Sequence, residues 1–291
     1  MRTRALGPGA PDVCVVGLGG MHLSIAGRPD EATALRVIHA ALDGGATIID
    51  TADVYCLDDA DVGHNERLIA KALRTWGGRR DAVVVATKGG LTRPGGRWES
   101  DARPEHLRRA CDRSLKALAT ERIDLYQLHA PDHEVPFTDS IGALVELQRA
   151  GKIRWIGVSN VTVEEIAAAA SLTPLVAVQN RLNPFFREAL SGGVVAECGR
   201  RGLGFLAYSP VGGGRLNKKL PDHPVLQPIA RRHGISPHAV VLAWVLAQGE
   251  TVIAIPSART PAHAADSLTA ADVQLSAAEL AAIDAAEFSR S

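Results

Sequence analysis

The sequence predicts an α/β fold: a closed (β/α)8 barrel of the TIM type, formed as a single domain over residues 1–291. Three observations predict it. Eight short apolar, β-branched runs recur along the chain, each is followed by an amphipathic helical pattern, and no shift in composition marks a linker between them. Strict alternation of strand and helix gives parallel strands with right-handed crossovers. Eight such units favour a closed barrel over an open sheet, and about 250 residues is a usual size for one.

In order, the strands are expected at 13–19 (VCVVGLG), 46–50 (ATIID), 82–88 (AVVVATK), 123–129 (IDLYQLH), 153–159 (IRWIGVS), 175–180 (LVAVQN), 203–209 (LGFLAYS) and 251–257 (TVIAIPS). They are short and mostly apolar, as strands buried on both faces should be. The first helix is expected over 30–45, with Leu35, Ile38, Ala41 and Leu42 on one face and glycines at its end. The second opens near Asn65, taken as its N-cap, with Glu66 in the first turn. Pro104 lies near the start of the third, and Thr162 caps the helical stretch TVEEIAAAA. Two helical patterns, near 224–233 and 237–248, separate the last two strands.

Composition narrows the function. Lys+Arg and Asp+Glu are both 32, and the one short basic cluster, Arg74, Arg79 and Arg80, reads as a solvated loop. Neither a nucleic-acid surface nor an anionic-membrane surface is expected. Cys14, Cys56, Cys111 and Cys198 are too scattered for a CxxC motif and suit a reducing compartment. The N-terminal stretch lacks an apolar signal region, and AVVLAWVLA (239–247) is too short to span a bilayer. A cytoplasmic protein is expected, monomeric or weakly oligomeric.

In such a barrel, catalytic residues lie at the C-terminal ends of the strands. Those ends carry Asp50, Lys88, His129, Ser159 with Asn160, Gln179 with Asn180, Tyr208 with Ser209, and Ser257 with Arg259, while Tyr55 lies just past Asp50. Taken singly, the Asp reads as a turn residue, the Lys as solvent-reaching and the His as a core residue. Together on one barrel face they point to proton transfer to a carbonyl oxygen. A free phenol titrates near pH ~10. A lysine ammonium beside it is expected to lower that value. Asp50 would hold Lys88 charged, Tyr55 would serve as general acid, and a neutral His129 would orient the carbonyl.

At these residues the chain resembles the aldo-keto reductase family. DTADVY (50–55), ATKGG (86–90), DLYQLHAPD (124–132), GKIRWIGVSN (151–160), QNRLNP (179–184) and LAYSPVGGGRL (206–216) follow that family's motifs in order, within roughly residues 13–287. The resemblance implies a carbonyl reductase with a nicotinamide cofactor extended across the barrel mouth, and the tetrad Asp50, Tyr55, Lys88 and His129. It implies that Ser159, Asn160 and Gln179 bind the carboxamide, that Tyr208 stacks on the nicotinamide ring, and that Ser209, Val211 and Gly212 lie along the pyrophosphate. Gly20 and Met21 are assigned to the cofactor as well. After the last strand, IPSARTPAHAADS departs from the family pattern. Ser257 and His263 stand where NADP-preferring members often carry basic residues, and Asp266 and Ser267 replace the usual adenine contacts. Arg259 is read as the 2′-phosphate contact, which favours NADP over NAD.

His22, Val54 and Trp98 are candidate substrate contacts, and Arg93 and Arg97 could receive an anionic aldehyde. The chain ends soon after SAAELAAIDAAEF (276–288), without a long C-terminal loop, so an open site of broad specificity is expected. A Rossmann dehydrogenase fails because His22 stands at the third glycine position of VCVVGLGGMH and Asp50 is too far on. A metal-dependent hydrolase would need several His or carboxylates converging on one ion, and no HxH spacing appears; no metal is expected. A non-catalytic, redox-sensing nicotinamide-binding subunit would keep the same residues. Asp53 is expected to brace its loop.

Overall fold

The computed structural model describes residues 1–290. Eight parallel strands pair in chain order: β1 (Leu18–Gly19), β2 (Ile48–Asp50), β3 (Val84–Gly89), β4 (Ile123–Leu128), β5 (Ile153–Ser159), β6 (Ala177–Arg181), β7 (Gly204–Tyr208) and β8 (Val252–Ala254). The two outer strands meet and close the sheet. Gly17 N–H donates to Ala254 O at 2.9 Å, Gly19 N–H to Pro256 O at 2.8 Å, and Ala254 N–H to Val15 O at 2.9 Å. The fold is the expected (β/α)8 barrel.

Burial explains why the strands read as near-continuous apolar runs. Their inward side chains, among them Ile48, Val84, Ala86, Leu125, Leu206 and Ile253, fill the barrel. Their outward side chains pack under the helices, including α1 (Glu31–Asp43), α2 (His64–Thr75), α3 (Pro104–Leu118), α4 (Phe137–Arg149) and α5 (Val163–Leu172). Thr162 caps α5 as expected, in a reciprocal capping box with Glu165.

Three local readings change. The run at 13–19 is not one strand. Asp12–Cys14 pairs antiparallel with Thr3–Ala5, and Leu18–Gly19 alone enters the barrel ladder. This hairpin delivers Leu6 into the lower end of the barrel, where it is fully buried beside Val176 and Leu206. Gly204 N–H donates to Leu6 O at 3.0 Å, and a Cβ at Gly204 would stand 2.3 Å from that oxygen. A glycine is therefore needed where the hairpin seals the floor. Secondly, Leu91–Thr92 pairs with Glu99–Ser100 as a small hairpin above β3. Thirdly, Asn65 is no cap. The helix starts after Gly63, at φ +81°, and the buried Asn65 side chain donates to Gly20 O (2.9 Å) and Ser24 Oγ (2.7 Å). It ties α2 to the loop after β1.

Leu6→Ala should leave a void in the barrel floor and lower unfolding free energy by about 2–4 kcal/mol in urea titration. A loss below about 0.5 kcal/mol would contradict the sealing role of the hairpin.

Candidate active site

Parallel register sets the site. β2 and β3 run side by side with Asp50 opposite Ala86, which leaves Lys88 two residues further toward the mouth. The Lys88 ammonium is fully buried and donates to Asp50 Oδ1 (2.7 Å), Asp50 Oδ2 (2.8 Å), Thr51 O (2.9 Å) and the Tyr55 hydroxyl (3.0 Å). Gln179 reaches across from β6 and donates to Asp50 Oδ1 at 2.7 Å. His129 follows β4, and its ring meets Tyr55 edge-on at 5.8 Å. The four predicted residues stand together, although 79 positions of sequence separate Asp50 from His129.

Electrostatics corrects one expectation. Burial, then the charge of Asp50, pushes the Tyr55 phenol well above its ordinary value rather than toward neutrality. Burial also pulls Lys88 down, opposed by Asp50. Burial and then the Lys88 charge hold His129 well below the usual imidazole value, so its ring is neutral near pH 7.

These residues open onto a cavity of ≈ 760 Å³ across the barrel mouth. Among the residues singled out from the sequence, Met21, His22, Asp50, Tyr55, Trp98, His129, Ser159, Asn160, Gln179, Tyr208, Ser209, Val211 and Arg259 line it. Asn160 and Ser209 hold φ of 59° and 46°, left-handed values that non-glycine residues adopt at a cost. Each turns the chain sharply at a strand end. Asn160 is pinned there by bonds to His129 O (2.9 Å) and from the Tyr208 hydroxyl (2.7 Å).

Other assigned residues fall elsewhere. Gly20 faces Asn65, whose Oδ1 would lie 2.3 Å from an added Cβ, and Gly19 lines the cavity instead. Gly212 faces Phe185 and Leu216, and the wall is made by Gly213 and Gly214. Val54 is buried with Ala52 and Tyr55 and lines a separate recess. Arg93 is also committed. It donates to Cys56 O (3.2 Å) and Leu57 O (3.0 Å) and lies 3.9 Å over the Trp98 ring. Arg97 pairs with Glu99 at 2.9 Å, and neither arginine lines the cavity. Trp98, braced by Arg93, meets both Tyr55 (6.4 Å) and His129 (6.5 Å) edge-on.

Sequence reasoning missed Leu91, Arg181, Asn217 and Lys218 in the lining. The run GGGRLNKK (212–219) after β7 carried a usable signal for Lys218, glycines followed by basic residues. Neither Lys218 nor Arg259 makes a hydrogen bond or ion pair among the described residues. No three His, Cys, Asp or Glu side chains converge among the described residues as a metal site would require. No helix among them is long and apolar enough to cross a membrane.

The sequence profile of the Aldo/keto reductase family matches residues 15–287. The chain is 32% identical over 304 aligned residues to probable aldo-keto reductase 1 of Glycine max, covering 94% of this chain and 86% of that protein. The glycerol dehydrogenase structure from Gluconobacter oxydans superposes with a TM-score of 0.84 at 29% identity, over 97% of this chain and 93% of that one. An aldo/keto reductase from Klebsiella pneumoniae in complex with NADP and acetate gives 0.81 at 29% identity, over 98% and 95%. Across nearly its whole length, in sequence and in the arrangement of its barrel, this chain belongs to the aldo-keto reductase family.

Proposed function

We propose that the chain reduces an aldehyde or ketone to an alcohol by hydride transfer, with NADPH as donor and Tyr55 as general acid. The observation that carries this reading is the Lys88 ammonium held 3.0 Å from the Tyr55 hydroxyl while both carboxylate oxygens of Asp50 anchor it. The cavity suits a dinucleotide. It combines ring-sized space beside Tyr208, amide groups at Asn160 and Gln179, and two uncommitted cations, Lys218 and Arg259. When bound, the nicotinamide supplies the hydride.

The chain's own groups do the rest. A raised phenol value does not oppose the reaction. It keeps Tyr55 protonated at working pH, and the alkoxide formed on hydride addition is far more basic than a phenol. Lys88 then stabilises the phenolate left behind. A neutral His129 can donate a hydrogen bond to the carbonyl oxygen without adding charge. Met21, Leu91 and Trp98 supply the apolar wall against which the carbonyl compound would rest. Arg259 is the contact proposed for a 2′-phosphate, since guanidinium pairs with phosphate through several donors. The Klebsiella pneumoniae structure, with NADP bound, supports the same cofactor choice.

Tyr55→Phe should lower kcat for aldehyde reduction by at least ~100-fold while NADPH binding, followed by fluorescence, stays within about twofold. Unchanged turnover would remove Tyr55 from the acid role. No turnover by the wild-type chain across a broad carbonyl panel would instead favour a non-catalytic nicotinamide-binding subunit. Arg259→Ala should raise the Kd for NADPH by about tenfold and leave that for NADH unaltered. Equal weakening of both cofactors would contradict the 2′-phosphate assignment.

A further inference from the structure

Asp53 stands in the loop between Asp50 and Tyr55. Its carboxyl is fully buried, and neither oxygen meets full hydrogen-bond geometry among the described residues, although the Val54 N–H and the Arg113 guanidinium approach it. The Asp53 backbone braces the loop: Asp53 N–H points to Lys88 O at 3.4 Å, and Gly63 N–H donates to Asp53 O at 2.7 Å.

A second buried carboxyl lies close by. Glu66, in the first turn of α2, accepts from the Thr87 hydroxyl at 2.6 Å through Oε1, while Oε2 has no partner. Thr87 precedes Lys88, so their side chains leave β3 on opposite faces. Tyr126 completes the group. Its buried hydroxyl lies where a Cβ at Gly89 would stand 2.1 Å away, against the residue that follows Lys88. The Thr87 hydroxyl, the Lys88 carbonyl and Gly89 therefore all border one buried polar cluster. The cation nearest the pair is Arg113 of α3, with Nη2 at 3.5 Å from Asp53 Oδ2.

We infer that Asp53 and Glu66 are positioning residues for the proton transfer: a buried carboxyl pair, shared with Arg113, that helps set the charge on Lys88 from the outer side of β3. The inference rests on the reductase reading above. The charges work as follows. Burial, then Glu66, raises Asp53 to about 8, against the pull of Arg113. Burial raises Glu66 too, opposed by Thr87, Ser114, Arg113 and Arg67. Both carboxyls favour the charged form of Lys88, after the larger effect of Asp50. The other titratable groups around the pair are Cys56 on its own loop, Tyr126 on β4, Cys111 and His106 on α3, and Arg93, Asp59 and Glu99 around the adjoining recess. As pH rises through about 8, Asp53 becomes negative. That charge holds the proton on Lys88 and on Tyr55 to higher pH, so the acid-competent state is extended.

Asp53→Asn keeps the shape of the protonated carboxyl and removes the charge. In this variant the alkaline limb of the kcat–pH profile should fall by about one pH unit. The titration of Lys88, followed by NMR of its ε-carbon in the protein alone, should fall with it. A purely structural role would scale turnover at every pH and leave both midpoints in place, and that result overturns the inference. Should the variant not fold, wild-type protein decides it. The Asp53 carboxyl step near pH 8 should appear as a second inflection in the Lys88 signal, and a lysine signal without that inflection overturns the inference. Absence of carbonyl turnover in the wild-type chain would sink the reductase reading, while the NMR measurement would still decide this one.

Discussion

The buried pair of Lys88 and Asp50 is the interaction on which the rest of the site depends. An ammonium with no exposure costs several kcal/mol to desolvate, and it stays charged only if its protons are fully used. Here the two Asp50 oxygens, Thr51 O and the Tyr55 hydroxyl use them. Each partner is delivered by barrel geometry. β2 supplies Asp50, the loop beyond supplies Thr51 and Tyr55, β3 supplies Lys88, and β6 adds Gln179 to orient Asp50. Losing Asp50 alone would strand a buried cation, which explains why the pair must be considered as a unit.

That constraint reaches outward in two directions. Toward the mouth, Lys88 donates to the Tyr55 hydroxyl, and its charge adds to burial in keeping His129 neutral, while burial and then Asp50 keep the phenol protonated. Toward the helices, Thr87 is held by Glu66, and the Tyr126 hydroxyl packs against Gly89 where a side chain would not fit. The cofactor side is built differently, from strand ends bent into left-handed conformations at Asn160 and Ser209 and from the exposed cations Lys218 and Arg259, which lack partners among the described residues.

Much of this was legible in the sequence because the barrel imposes a simple rule. Strands buried on both faces must be apolar until they reach the mouth, so a polar residue at the end of such a run marks the site. Asp50, Lys88, His129, Asn160, Gln179 and Tyr208 all obey it. The N-terminal hairpin was not legible, because strands of three residues around GPGAP carry no periodic signal. Which of two adjacent glycines lines the cavity was not legible either. Gly19 and Gly20 differ only in the side toward which the chain turns, and Asn65, 45 residues on from Gly20, decides it. The Tyr55 shift was misread for a related reason. Sequence names the neighbour that lowers a phenol's value, but the depth of burial that outweighs it exists only in the folded barrel.

The most direct measurement is turnover by the double variant Lys88→Met, Asp50→Asn, which removes the charge pair without leaving either charge buried alone. The account predicts a folded barrel that binds NADPH and loses at least ~100-fold in kcat for aldehyde reduction. Turnover near the wild-type level in that variant would contradict it.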